Sequence, residues 1–217
     1  MKSPELRKEL SELMLHKRGI RINLQLPLIE SEDEIHLRSS DDVSQRLIAL
    51  CLMHQFVQSE QRQAVIDLIE SAQLQACFSP EERSYLFSGA EMSEETSTIY
   101  QQAQALYFLL WAGGLEDIGM PDGKQQESVV EQLWRQVNTD ATLLQKTIKL
   151  RSKTLLLDWA DLLYRLHWAV RHAQITGKPT PGRLDAHAVH AWHQAANWMI
   201  QYDDEHDWDK VSTETAG

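Results

Sequence analysis

Apolar residues recur at three- and four-residue intervals along almost the whole chain, and this spacing confines the fold to packed α-helices. Several of these stretches open with helix-start chemistry. Ser3-Pro4-Glu5 and Ser79-Pro80-Glu81-Glu82 each supply a hydroxyl N-cap, a proline at the first helical position and acids in the first turn. Ser40-Asp41-Asp42 leads into a helix reaching about Val57, and Glu60 to Ala72 continues the pattern with Val65, Ile66, Leu68 and Ile69. Glu94 to Ala112 reads as one long helix whose second half is buried, closed by Gly113-Gly114, where glycine adopts a left-handed cap without steric cost. Shorter periodicity covers Ser128 to Val137. Thr154 to Ile175 and Asp185 to Tyr202 are the last two long helices, joined through a turn from Gly177 to Gly182.

One stretch breaks the rule. Between Gly19 and Leu37, Ile20-Arg21-Ile22-Asn23-Leu24-Gln25-Leu26 alternates apolar and polar residues with period two, bounded by Gly19 and Pro27. A lone strand cannot satisfy its own backbone groups, so the segment is expected to lie extended across the helices without forming a sheet. No repeat and no linker composition divides the chain. The expected architecture is a single all-α domain over residues 1–217, with one extended segment at about 19–37 and an acidic, tryptophan-bearing tail at 203–217.

The 217 residues carry 21 Lys and Arg against 32 Asp and Glu, a formal charge of −11, which disfavours a phosphate backbone as partner. The start, Met1 to Leu10, has no apolar core of a secretory signal, and the longest mainly apolar run, Tyr107 to Leu115, is too short to cross a bilayer. Neither nucleic acid nor membrane is therefore an expected partner, and a cytoplasmic location is expected. Cys51 and Cys77 form neither a metal-type pair nor a disulfide framework, and Cys51 sits in an apolar run as a buried thiol.

Three constellations hold polar chemistry. On the Thr154–Ile175 helix, Asp158, Asp161, Arg165, Trp168 and His172 fall within an arc of about 80° at helical spacing. Asp158–Asp161 and Asp161–Arg165 are neighbours on that face, which reads first as a structural network under the C-terminal tail, then as a binding surface, and last as catalytic. On the final helix His190, His193 and Asn197 cluster beside an apolar face that includes Trp192. Histidines three apart can ligate zinc, but no HExxH or CxxC accompanies them, so hydrogen bonding by His193 and Asn197 towards the tail is preferred. The third is Asp203-Asp204-Glu205-His206-Asp207-Trp208-Asp209. It lacks the glycine of a calcium loop, and Trp208 is expected to anchor it against the bundle, with Asp207, Asp209 and Trp198 counted in the same binding or structural network. No metal site and no cofactor is expected. Lys146, Lys149, Arg151 and Lys153 read as a solvated basic surface.

These pieces together resemble the bacterial domain-of-unknown-function family 4272. The resemblance is carried by Gly19-Ile20, Leu26-Pro27, Leu37-Arg38-Ser39 with Val43 and Arg46, then by Ala103, Leu106, Leu110-Trp111-Ala112, Gly114 and Pro121. It continues through Leu150-Arg151-Ser152, Asp158, Asp161, Tyr164-Arg165 and Trp168. The most specific part is the end: His193, Asn197-Trp198, Asp207-Trp208-Asp209, Val211, Thr213 and Thr215. Glu214 stands where the family ending usually has aspartate, Gln102 where glutamate is common, and Ala191-Trp192 where a Glu-Arg pair is usual. The resemblance implies a helical fold and a bacterial origin, and implies no activity.

Two functional expectations follow. The first is a protein–protein interaction module whose acidity suits a basic partner, an immunity protein neutralising a toxin being its concrete version. A second copy of the chain is a further candidate partner, given seven tryptophans. The second is a hydrolase-like enzyme, the less favoured reading, with Asp158, Asp161, Arg165, His193 and Asn197 lining one pocket between the last two long helices.

Overall fold

Helix starts fall where hydroxyl and carboxylate caps stand. In the computed structural model, which describes residues 1–58, 60–88 and 94–215 (backbone alone over 94–97), the elements are α1 (Pro4–Lys17), α2 (Ser40–Val57), α3 (Arg62–Ser71), α4 (Pro80–Phe87), α5 (Glu94–Gln102), α6 (Ala105–Ala112), α7 (Glu127–Thr139), α8 (Thr142–Thr147), α9 (Lys153–Ile175) and α10 (Ala186–Met199). Ser39 and Ser79 form reciprocal capping boxes with Asp42 and Glu82, while Ser3, Ser152 and Asp185 each accept a hydrogen bond from the first turn. The fold is all-α, a single compact body with no strand among the described residues. The last two residues of the expected tail, 216–217, lie outside the described residues.

The Gly19–Leu37 segment is extended, interrupted by turns. Its carbonyls are satisfied by side chains reaching from the helices. Lys8 Nζ donates to Leu24 O and Leu26 O (both 2.8 Å), Arg165 Nη2 to Pro27 O (3.2 Å), and Lys153 Nζ to Glu32 O and Ile35 O (3.1 and 3.0 Å). Buried Ile20, Leu26 and Ile35 hold the other side of the segment on the core. Period-two patterning here serves one apolar face, with side-chain donors where a sheet would supply backbone N–H groups.

Two helix lengths differ from expectation. The long helix expected over Glu94–Ala112 is two: hydrogen bonds tighten to three-residue spacing at Gln104, Leu106 and Tyr107, and the Gln104 carbonyl also accepts the indole N–H of Trp192 (3.0 Å). The last helix ends at Met199, short of Tyr202. Arg38 takes its terminal carbonyls, Nε on Trp198 O (2.9 Å) and the backbone N–H on Met199 O (3.0 Å), and Gln201 then turns left-handed at φ 51°. The short α8 was not expected; Asp140 starts it by accepting from the Thr142 N–H and hydroxyl.

Two helices position everything that follows. α9 packs against α1 on one side and α10 on another, and α10 in turn packs against α6 and α5. The pairs His167–His190 and Tyr164–His193 make α9 and α10 antiparallel. Behind them Phe108, Trp111, Trp159 and Trp192 form an edge-to-face and tilted cluster with centroids 5.4–6.4 Å apart, each such pair contributing about 0.5–1.5 kcal/mol beyond area burial.

Candidate functional site

The α9 stripe divides between two coverings. Asp161 is fully buried (0% exposed), and its carboxylate grips Arg165 four residues on through Nε (2.9 Å) and Nη2 (2.8 Å). Arg165 continues to Pro27 O, with Glu12 Oε1 of α1 at 3.9 Å from Nη1. Asp158, one turn earlier and part-buried, accepts from Lys2 Nζ (2.7 Å) and Arg7 Nε (3.0 Å). Trp168 is buried and stacks on His172 at 4.9 Å. The expectation that the C-terminal tail covers the Asp–Arg face is thus corrected: Asp158, Asp161 and Arg165 lie against α1 and the extended segment. A helical wheel groups side chains correctly but carries no information on which distant element packs over them.

The tail covers the α10 face instead. Asn197 Nδ2 donates to Ser212 O (2.8 Å), Gln194 Nε2 to Trp208 O (3.1 Å), and His190 Nε2 pairs with the Thr213 hydroxyl (3.0 Å). Beneath lies a histidine chain with one consistent direction. Asn197 Nδ2 donates to His193 Nε2 (3.2 Å), so His193 bears its proton on Nδ1 and gives it to His167 Nδ1 (2.8 Å). His167 then carries its proton on Nε2, towards the Thr213 backbone. Burial, with His190 and Arg171 close by, pushes His167 down to about 4, and burial beside His167 and His190 pushes His193 far below its ordinary value. His190 is lowered as well, chiefly by burial. All three rings are neutral near pH 7. His167 was not singled out from sequence; its place between Leu166 and Trp168 on a buried face is the signal, since a buried histidine there needs a polar partner.

The tail itself is a fastened strap. Trp208 is 4% exposed, meets Trp198 edge-on at 5.8 Å and lies under the Arg46 guanidinium at 4.8 Å. Arg46 in turn pairs with Glu82 of α4 (Nη2–Oε2 2.9 Å), while Arg38 stacks over Trp198 and donates to Glu205 O (2.8 Å). Asp207 caps the short turn Trp208–Lys210 by accepting from the Asp209 N–H (3.0 Å), and Asp209 accepts from the Glu81 N–H (3.0 Å) at the start of α4. Arg38 and Arg46 went unassigned in the sequence reading of the site, where they stood only as family-matching positions.

A hollow of 350 Å³ remains between the strap, the extended segment and the α9–α10 pair, bordered by Tyr164, His193, Asn197, Tyr202 and Glu214. The five-residue pocket expected for an enzyme does not assemble: His193 and Asn197 border this hollow, whereas Asp161 and Arg165 are closed on one another and Asp158 faces α1. Among the described residues, no group of three or more His, Cys, Asp or Glu side chains is placed to hold a metal ion. Burial pushes the Cys51 thiol up to about 12, which leaves it inert as a nucleophile at neutral pH. No described helix is long and apolar enough to cross a membrane.

An all-helical body, a cross-chain strap anchored by Trp208 and an Asp-Arg pair under the extended segment define the molecule. Residues 7–211 match the family described as "Domain of unknown function (DUF4272)", and the chain belongs to that family. Neither the curated proteins nor the solved structures yield a match.

Proposed function

We propose that this protein is an interaction module that docks a basic partner protein on the acidic face built by its C-terminal strap. The observation that carries this reading is the bond from the Glu81 N–H to Asp209, which seats the strap on α4 and sets Asp207 and Asp209 near Glu81. The Glu81 carboxyl is held above its ordinary value, first by desolvation and then by the neighbouring Asp209, Asp207 and Glu82. Lys210 is the one cation within residues 203–210 with a formal charge at neutral pH. Carboxylates fixed in place, as opposed to strung along a loose tail, steer encounter and enforce register at little ordering cost. An immunity protein that neutralises a basic toxin is the concrete form of this proposal.

The test is affinity capture from the native host with mass spectrometry, comparing the natural chain with Asp203→Lys/Asp204→Lys, both exposed positions. One basic protein recovered at a fixed ratio, released by high salt and lost with the double variant, is the expected result. Equal recovery with both chains, or no protein enriched by either, contradicts the proposal.

A further inference from the structure

The hollow behind the strap is lined by acceptors and, among the described residues, by no Lys or Arg side chain. Glu30 and Glu214 border it together with Tyr164, Tyr202, His193 and Asn197. Neither carboxylate has an ion-pair or hydrogen-bond partner among the described residues. Both act on the Tyr202 phenol, which is pushed up first by desolvation and then by Glu30, Asp203, Tyr164 and Glu214. The volume of 350 Å³ lies within the roughly 300–1,000 Å³ typical of small-molecule sites.

One of these acceptors belongs to a deeply set side chain. Asn197 is 8% exposed, and its Nδ2 is spent on His193 Nε2 (3.2 Å) and Ser212 O (2.8 Å). The Ser212 carbonyl only accepts, which fixes that end of the amide as Nδ2 and the other as Oδ1. Oδ1 has no hydrogen-bond partner among the described residues, yet it is not enclosed: it keeps accessible surface on a residue that lines the hollow. An acceptor left open on a buried side chain calls for a donor. His193 supplies neither donor nor charge there, because burial keeps its ring neutral and its Nε2 accepts from Asn197.

We propose that the hollow binds a small organic ammonium, its N–H donating to Asn197 Oδ1 in the field of Glu30 and Glu214 and its apolar body lying along Leu28, Ile29 and Ile200. An ammonium brings three donors and the charge that this acceptor set lacks, and the electron-rich rings of two tyrosines attract a cation further. An anion is repelled by the two unpaired carboxylates. A metal ion suits the hollow less well, because no three His, Cys, Asp or Glu side chains among the described residues are placed to hold one. Amine binding in the hollow and partner docking on the outer acidic face are read by separate measurements, so failure of one leaves the other standing.

The experiment titrates the full chain with pentylamine, charged at neutral pH, and in parallel with neutral 1-pentanol. Heat is read by calorimetry and the Asn197 side-chain amide by NMR. Pentylamine is expected to saturate one site and shift the Asn197 signal, with the alcohol about tenfold or more weaker. Glu30→Gln/Glu214→Gln together are expected to weaken the amine about tenfold with an unchanged melting temperature, since neither carboxylate is paired in the fold. Glu70→Gln, an exposed change on α3, is expected to leave the amine affinity unchanged. Nα-acetyl-lysine amide carries the same ammonium: binding as strong as that of pentylamine assigns the hollow to a lysine side chain of another protein, and weaker binding to a free amine. Equal binding of pentylamine and pentanol, no saturable binding of the amine at millimolar concentration, or full affinity in the Glu30→Gln/Glu214→Gln chain overturns the proposal.

Discussion

His193 Nδ1 lies 2.8 Å from His167 Nδ1, a bond in which His167 accepts and is therefore neutral, while His193 is neutral because its Nε2 accepts from Asn197 Nδ2. With His190 stacked on His167 at 5.1 Å, the cluster has no tolerance for added charge, and Arg171 and His187 beside it raise the penalty.

Stability should consequently fall in acid. Each of these rings has its folded pKa below the unfolded value of about 6.5, so the unfolded chain binds more protons, and stability present above that pH is lost as pH falls towards 4. The slope reaches about 1.4 kcal/mol per pH unit for each histidine that stays neutral in the fold. Denaturant midpoints between pH 7 and 4.5 measure it, and His167→Gln should flatten the curve by about one proton.

The Asp161–Arg165 pair yields a second expectation. Asp161→Asn leaves a guanidinium buried without its counter-charge and should cost roughly 3–5 kcal/mol, whereas Asp161→Leu/Arg165→Leu together should recover much of that loss. Equilibrium unfolding of the three variants decides it. A single variant as stable as the natural chain would mean that the pair is solvated.

Gly114 and Gly177 separate steric from torsional cost. Both have positive φ (73° and 67°), but a Cβ at Gly114 would stand 2.5 Å from the Lys149 carbonyl oxygen, while one at Gly177 would meet nothing within 4 Å. Gly177→Ala should cost about 1–2 kcal/mol, the left-handed penalty alone, and Gly114→Ala distinctly more because backbone must shift. Thermal unfolding of the two proteins gives the comparison.

These particulars also mark what was readable beforehand. Caps at Ser3 and Ser79 and the stop at Gly113-Gly114 are local chemistry, so these helix positions followed from short stretches of residues, whereas the cap of α2 is Ser39, one residue before the Ser40 start that was expected. The break at Gln104 was hidden because apolar spacing runs through it, and the indole that meets its carbonyl belongs to Trp192, far along the chain. The same distance hid the covering of Asp161 and Arg165 by α1, and the role of Arg7, which looks like one more charge in a charged helix. Trp208 was legible as an anchor since a large aromatic inside an acidic run must find a partner, although the stacking by Arg46 was not.

Trp208→Ala removes the edge-on contact with Trp198 and the surface under Arg46, and should cost roughly 3–5 kcal/mol or release the strap outright. Trp208→Phe should retain most of the contact. Limited proteolysis within residues 203–212 distinguishes a released strap from a bundle that is weakened throughout.

The central claim is that the C-terminal segment is a fixed strap, the base on which the acidic face rests. Amide hydrogen exchange at Asp209, Lys210 and Val211, whose N–H groups bond to Asp207 and Trp208, tests it most directly. The account predicts exchange slowed by about a hundredfold or more against an unstructured peptide, and slowing lost in Trp208→Ala. Exchange at the unstructured rate in the natural chain would contradict it.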